Sequence, residues 1–428
     1  MKKYQSFGKY PLPNNQEIKL VFNQNINFQN NLKSYLPYGL GKSYGDSCLN
    51  SNNILLDCSY MNKFISFDED TQILKAEAGV TLKEIIDVFL PRAYFLPVTP
   101  GTKLITLGGA IANDVHGKNH HKYGTFGRYI LSFDLLRSDG NIYHCSSTEN
   151  IDLYNATIGG LGLTGVILNA ELKLIKVAGP LIDAEFIKFY SFEEFFEINT
   201  NSQEYDYTVA WVNTSKFGSG IYSRGNFANA DKQIKFEPNL KGAINFPIEY
   251  DFINPLSVKV FNFLYFGKQF KKSVNNIISF EPFFYPLDAV NEWNKAYGKR
   301  GFLQYQFAIP FENSLENLKN IFKIIADSGY SSFLTVLKTF GNLESPGMLS
   351  FPIEGITLAI DFKMVGDKLL TILNKCDDIV VNAGGRLYPA KDARMNSEHF
   401  KKFYPKYKEF IKFIDPKFNS DFWRRVIK

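Results

Sequence analysis

Cysteine is scarce in this 428-residue chain, and Cys48, Cys58, Cys145 and Cys376 form no CxxC pair and no ligand-like spacing. That argues against a disulfide scaffold or a cysteine metal site, and a reducing compartment is expected. Histidine is almost as scarce: there are five, three of them close together at His116, His120 and His121. Gly117 and Asn119 oppose a helix presenting His116 and His120 together, and no H-E-x-x-H occurs, so no metal is expected. The absence of G-x-S-x-G removes the nucleophile elbow of a serine hydrolase. No run of about 18 apolar residues occurs, so no transmembrane helix is expected. The opening MKKYQSFGKYPLPNNQEI lacks the apolar segment of a secretory signal. Charge of one sign is also lacking. The net +5 comes from scattered lysines without a basic stripe, so nucleic acid is not an expected partner. Internal repeats and low-complexity tracts are missing too.

What remains is an ordinary globular composition, 45% hydrophobic and 21% charged, long enough for two or three domains. Residues 31–175 alternate β-like runs with glycine-rich turns. The runs are NILLDCS, QILKAEAG, YILSFDLLRSDGNIYHC, turned at Asp139-Gly140, and GVILNAELKLIKV. Thr81 with Glu84 three residues on opens a short amphipathic helix over 81–92. After Val177 the texture becomes more aromatic and a second α+β unit is expected to about residue 385. Its strand-like segments are 301–310, 331–341 and 355–364, separated by helices over 313–329 and 364–385, the second capped by Gly384 or Gly385. Residues 240–285 mix aromatics with a basic KQFKK and read either as a helix packed on the core or as a flap or membrane-interface surface for an apolar substrate.

Three glycine clusters carry the chemistry. YGLGKSYGDS (38–47) ends like a phosphate loop at Gly41-Lys42-Ser43, but Leu36 stands where that motif needs glycine. It reads as a pyrophosphate nest or as a plain turn. GGLGLTGVILNAELKL (159–174) contains G-x-G-x-x-G at Gly160, Gly162 and Gly165, but a β run follows instead of a helix, so a Rossmann reading fails. GGAIANDVHGKNHHKYGTFG (108–127) is left as a cofactor wall with His116 and Lys118 near the reacting centre, His120 and His121 serving only the loop. GGRLYPAKDARM (384–395) gathers Arg386, Tyr388, Lys391, Asp392 and Arg394, either as a solvated loop or as part of a site.

Together these segments resemble the flavin-dependent oxidoreductases of the vanillyl-alcohol oxidase (PCMH-type) superfamily. FYPLDAV, GFLQYQF, FLTVLKTFG, LSFPIEG and YPAKDARM, in that order, extend the resemblance to the family of decaprenylphosphoryl-β-D-ribose 2′-epimerase oxidase subunits over most of the chain. The resemblance implies a two-domain α+β fold: an FAD-binding domain of 1–178 plus 386–428 around a substrate domain, 179–385, built on an antiparallel sheet. It implies cofactor contacts from Pro37, Tyr38, Gly39, Leu40, Gly41, Lys42, Ser43, Tyr44, Gly45, Asp46 and Ser47. Further contacts are implied from Gly101, Thr106, Leu107, Gly108 and Gly109, then Asn113, Asp114, Val115 and His116, with Ile167 and Tyr388. Lys42 stands where covalent members often carry a histidine, so the implied FAD is non-covalent.

The implied substrate pocket holds Tyr44, Lys118, Trp211, Gln304, Gln306, Lys338, Phe340, Tyr388 and Lys391. Lys391 is the first candidate for the catalytic proton acceptor and His116 the second. Gln304 and Gln306, two apart on a strand, share a face and can bind sugar hydroxyls, while Lys338 and Lys118 suit a phosphate. The implied reaction is FAD-dependent oxidation of the C2′ hydroxyl of a polyprenyl-phosphoryl pentose, completed by a separate NAD(P)H-dependent short-chain reductase. The chain departs from mycobacterial members at Ala359, where they carry cysteine, and at Thr357, where they carry asparagine. These departures point to a different glycosyl phosphate as the substrate. A cytoplasmic location is expected, with peripheral contact to the inner membrane through 240–285. The alternatives are an O2-dependent sugar or aldonolactone oxidase, weakened because Trp423 lacks that group's His-Trp-x-Lys setting, and a flavin-fold scaffold without activity.

Overall fold

Ile54–Asp57, buried at all four positions, is the middle strand of a parallel sheet with Glu17–Leu20 and Tyr35–Tyr38 on either side. A continuous apolar run suits a parallel strand covered on both faces. These elements belong to the computed structural model, which describes residues 3–28, 32–230, 244–246 and 249–428. The Tyr35–Tyr38 strand delivers the chain directly into the first glycine loop.

A five-stranded antiparallel sheet follows, in the order Phe64–Asp68, Ile73–Glu77, Val166–Lys173, Ile130–Leu136, Ile142–Ser146. The last two are joined through Asp139-Gly140, with Gly140 at φ +85 and its N–H donating to Arg137 O at 3.0 Å. Leu82–Phe89 is helical and carries the expected capping box: Thr81 Oγ1 accepts from Glu84 N, and the Glu84 carboxylate accepts from Thr81 N. Leu107–Ala112 forms a second helix, capped by Thr106 and burying Leu107, Ala110 and Ile111. A Cβ at Gly108 would lie 2.9 Å from that of Ala78, so glycine sets this helix close to the sheet.

The second large core lies under an eight-stranded sheet whose neighbours are all antiparallel. Its central part runs Tyr207–Val212, Thr335–Phe340, Gly355–Lys363, Phe302–Ile309. Helices Ser314–Asp327 and Asp367–Asn382 contribute to the core, the latter followed by Gly384 at φ +68. Registration sets Trp211, Val336, Ala359 and Gln306 in one cross-strand row, with Gln304 opposite Asp361 and Lys338 opposite Thr357. Because side chains alternate between faces, these residues all project from one side of the sheet.

The C-terminal residues return to the beginning of the chain. Tyr35 N donates to Lys417 O at 2.7 Å, and the Asp421 carboxylate accepts from Ser51 N and Oγ. Arg425 holds Asp46 with two hydrogen bonds and Asp392 with a third.

The helix expected within 240–285 is present as Pro255–Gly267, set against the body by Val258 and by Phe261, Tyr265 and Phe266, which meet Phe333, Trp211 and Tyr190. Only Val258 and the polar Asn262 are fully buried, Tyr265 and Phe266 are half-buried, and much of its remaining apolar surface is exposed. The residues of 240–285 at 240–243 and 247–248 lie outside the described part. No described helix is long and apolar enough to cross a membrane.

Candidate active site

Between the glycine loops and the open face of the eight-stranded sheet lies a cavity of about 760 Å³. Its first wall is nearly free of side chains. Pro37 to Tyr44 and Ser47 line it, joined by Gly101, Thr106, Gly108, Gly109, Asn113, Val115, His116 and Ile167. A Cβ at Gly39 would come within 2.5 Å of Thr106 Oγ1, and one at Gly41 within 2.0 Å of the Tyr38 hydroxyl. Gly41 also sits at φ +60, a conformation that favours glycine. The amides of Gly41, Lys42 and Ser43 have no protein acceptor among the described residues, and Ser47 Oγ is buried without a partner. Free donors beside bare backbone suit a pyrophosphate and a flat ring system. These residues therefore fit FAD.

Five residues of the expected set stand behind the wall instead of on it. Gly45 packs against the chain at Asp392, whose carbonyl a Cβ would strike at 1.6 Å. Asp46 is consumed by Arg425. Leu107 is fully buried in the core, where its helix meets the sheet. Asp114 accepts from Gly127 N at 2.8 Å and from the hydroxyls of Ser345 and Ser350, so it ties loops together. Phe340 is buried edge-on against His116 and tilted against His120.

The opposite wall is chemical. Trp211, Gln304, Gln306, Lys338 and Lys391 line it, with Lys118 and Tyr44 at its border and Tyr388 bridging the two sides. Lys391 Nζ lies 3.5 Å from the centre of the Tyr44 ring, a cation–π contact made where Tyr44 N donates to Ala390 O. Burial pulls the Lys391 ammonium below its ordinary range and Lys338 adds to this, whereas Asp361 opposes it. Burial brings Lys338 down to about 8, and burial with Lys338 brings Lys118 down to about 7. Lys118 Nζ donates to Phe283 O and faces its ring, and Thr208 N donates to Lys118 O, docking this loop on the sheet. Tyr388 donates from its hydroxyl to Asn113 O and stacks on Phe351. Trp211 Nε1 donates to Phe333 O and its ring meets Tyr265 at 4.7 Å.

His116 is boxed by Phe340, Phe351 and Tyr388. Gln306 Nε2 donates to its Nε2 at 3.1 Å, which assigns a neutral ring with the proton on Nδ1. Nδ1 is buried without a partner, and burial holds the ring well below the usual imidazole range. Neither nitrogen is presented to the cavity as a free base, so the geometry makes His116 a support for Gln306. His121 Nε2 donates to Tyr205 O at 2.8 Å, and burial drops His120 to about 3.

Asp361 was not among the expected residues. It is 1% exposed, its Oδ1 accepts from Gln304 Nε2 at 2.6 Å, and its Oδ2 has no partner. Burial raises its carboxyl above the ordinary range, and the charge of Lys391 opposes that rise. The two-residue period through Thr357 and Ala359 points to it. Phe7, which packs against Tyr44 and Trp293 at the cavity edge, had no sequence signal at all.

The bare-backbone wall and the sheet facing it define an FAD-dependent oxidoreductase of the α+β, PCMH-type class, and comparison with known proteins agrees. Residues 28–146 match the FAD binding domain family. Decaprenylphosphoryl-β-D-ribose oxidase of Mycolicibacterium smegmatis is 37% identical over 422 residues, covering 92% of this chain and 89% of that protein. The chain belongs to the decaprenylphosphoryl-β-D-ribose oxidase family. An uncharacterised protein of Streptomyces coelicolor is 28% identical over 372 residues, 81% of this chain and 100% of its own length. Human Δ(24)-sterol reductase shares 30% identity over only 111 residues, 26% of this chain and 22% of its own.

Proposed function

We propose that this chain oxidises the 2′-hydroxyl of a polyprenyl-phosphoryl pentose, or a related glycosyl phosphate, to a keto sugar. The observation that carries the reading is the convergence of three half-buried lysines and two strand-paired glutamines on the face opposite the glycine wall. In this reading residues 1–178 and 386–428 hold FAD non-covalently, and 179–385 supply the substrate face.

The loop from Pro37 to Ser47 would hold the pyrophosphate, and Thr106 to Val115 with Ile167 the rest of the cofactor. FAD, once bound, would supply the two-electron acceptor for the carbinol hydride. Lys391 takes the hydroxyl proton: its lowered basicity makes neutral amine available near neutral pH, and Tyr44 fixes its position. Gln304 and Gln306 commit their amide N–H groups to Asp361 and His116. Their carbonyl oxygens are therefore left to accept from sugar hydroxyls. Lys338 and Lys118 neutralise the phosphate. A separate NAD(P)H-dependent reductase would return the ketone with inverted configuration.

Anaerobic titration of the yellow holoprotein with a panel of glycosyl phosphates, free sugars and aldonolactones tests this. Polyprenyl-phosphoryl pentose should bleach the flavin band at ~450 nm. Bleaching by free sugars or lactones alone, with rapid peroxide-forming reoxidation by O2, would assign the chain to the sugar oxidases instead.

A further inference from the structure

The Pro255–Gly267 helix is built inside out. Beside Val258 and the aromatic contacts of Phe261, Tyr265 and Phe266, a polar side chain fastens it to the body: Asn262 Nδ2 donates to Ser332 O and to the hydroxyls of Thr214 and Ser215, each at 3.2 Å. Its apolar stripe faces away: Leu256 is 70% exposed, Phe263 75% and Leu264 62%, and Phe270 just beyond is 96% exposed. An exposed apolar stripe of this kind marks an interaction surface. Along the segment itself the charge has one sign. No acidic residue occurs between Asp251 and Glu281, whereas Lys259, Lys268 and Lys271 do, and Lys272 is ion-paired with Glu194. Cations beside a helical apolar stripe match the interface of an anionic bilayer.

The stripe is also continuous with the cavity. Trp211 on the cavity wall meets Tyr265 of the helix, Tyr265 stacks with Phe261, and Phe261 is 43% exposed on the outer surface. An aromatic path thus runs from the substrate face to the exposed helix.

We propose that the Pro255–Gly267 helix seats this protein on an anionic lipid bilayer and that the substrate's apolar tail follows the Trp211–Tyr265–Phe261 path into that bilayer. The tail path rests on the glycosyl-lipid reading above; the docking surface does not. The sugar phosphate enters the cavity while the tail stays among the lipids, so the whole substrate need not leave the membrane.

Flotation of the full-length holoprotein with phosphatidylcholine vesicles, with and without phosphatidylglycerol, tests the docking. The protein should float with the anionic vesicles and be released by high salt. Lys259→Gln with Lys271→Gln should lower the bound fraction by about tenfold to a hundredfold. Leu256→Gln, Phe263→Gln and Leu264→Gln together should abolish flotation while leaving flavin content and bleaching by a short-tailed glycosyl phosphate unchanged. Failure of the wild type to float, or flotation of the triple variant like wild type, overturns the docking. So does a concentration-dependent dimer, lost in the triple variant, that accompanies no vesicle binding. If vesicles bind but no glycosyl phosphate bleaches the flavin, docking stands and the substrate reading falls.

Discussion

The two walls of the cavity are made in opposite ways. The cofactor wall is backbone, exposed by glycine at positions such as Gly39 and Gly41 and supplied by short contiguous loops. The sheet wall is side chains, each from a different strand, brought level by register: Trp211, Val336, Ala359 and Gln306 form one row. In the proposed function the first wall holds the flat, phosphorylated cofactor, whereas the second chooses the substrate. Damage to the first should remove the cofactor; damage to the second should leave a yellow protein with altered chemistry.

The largest break is expected at Gly41. Gly41→Ala puts a methyl group onto the Tyr38 hydroxyl at a positive φ, so FAD affinity should fall by at least about tenfold and the purified protein should be nearly colourless. Flavin absorbance per chain measures it, with circular dichroism confirming the fold. A yellow variant with normal affinity would sink the backbone-wall argument.

Lys391→Ala should keep its flavin and lose ~10²–10⁴-fold in the anaerobic reduction rate. Reduction at the wild-type rate would remove Lys391 from the mechanism. Asp361→Asn should act more mildly, through the pH profile. Asp361 opposes the downward shift of Lys391, so without its charge Lys391 loses its proton at lower pH. The acid limb of the rate profile should then move down by about one pH unit. A profile unmoved, or moved upward, separates the two residues. The smallest effect is expected at Ala359, midway along the row between Gln306 and Val336. Ala359→Val should raise the substrate KM by about tenfold with little change in flavin content. A change in flavin content there would mean that the walls are not separable.

The same contrast explains what could be read before the structure. YGLGKSYGDS and TLGGAIANDVH announce the cofactor wall because its glycines are neighbours in the chain, and strands such as 302–309, 335–340 and 355–363 follow from their alternation. Gln304 and Gln306 share a face as their spacing requires. Asp361 was overlooked although the same alternation reaches it, since a buried acid beside an apolar strand gives no local sign of its partner. His116 looked like a base by type, but whether a ring nitrogen is free depends on Gln306 and three aromatic neighbours from distant segments. Asp114 and Asp46 lie inside recognisable motifs yet serve Ser345, Ser350 and Arg425, which no spacing rule connects to them. The 240–285 segment stayed open between a packed helix and an exposed surface for a related reason: apolar residues at helical spacing normally mark the inward face, and here Asn262 shares that face with Val258 while Leu256, Phe263 and Leu264 are exposed.

Arg425 joins these two halves of the site with one guanidinium. It grips Asp46, at the end of the first glycine loop, and Asp392, next to Lys391. Thermodynamic reciprocity then applies. In the proposed function, a cofactor that steadied the first loop would also steady the lysine, and a substrate that held the lysine would tighten the grip on the cofactor by the same factor. On that reading the enzyme loaded with FAD would already be arranged for its substrate, and a half-assembled site would be the state that the arginine disfavours.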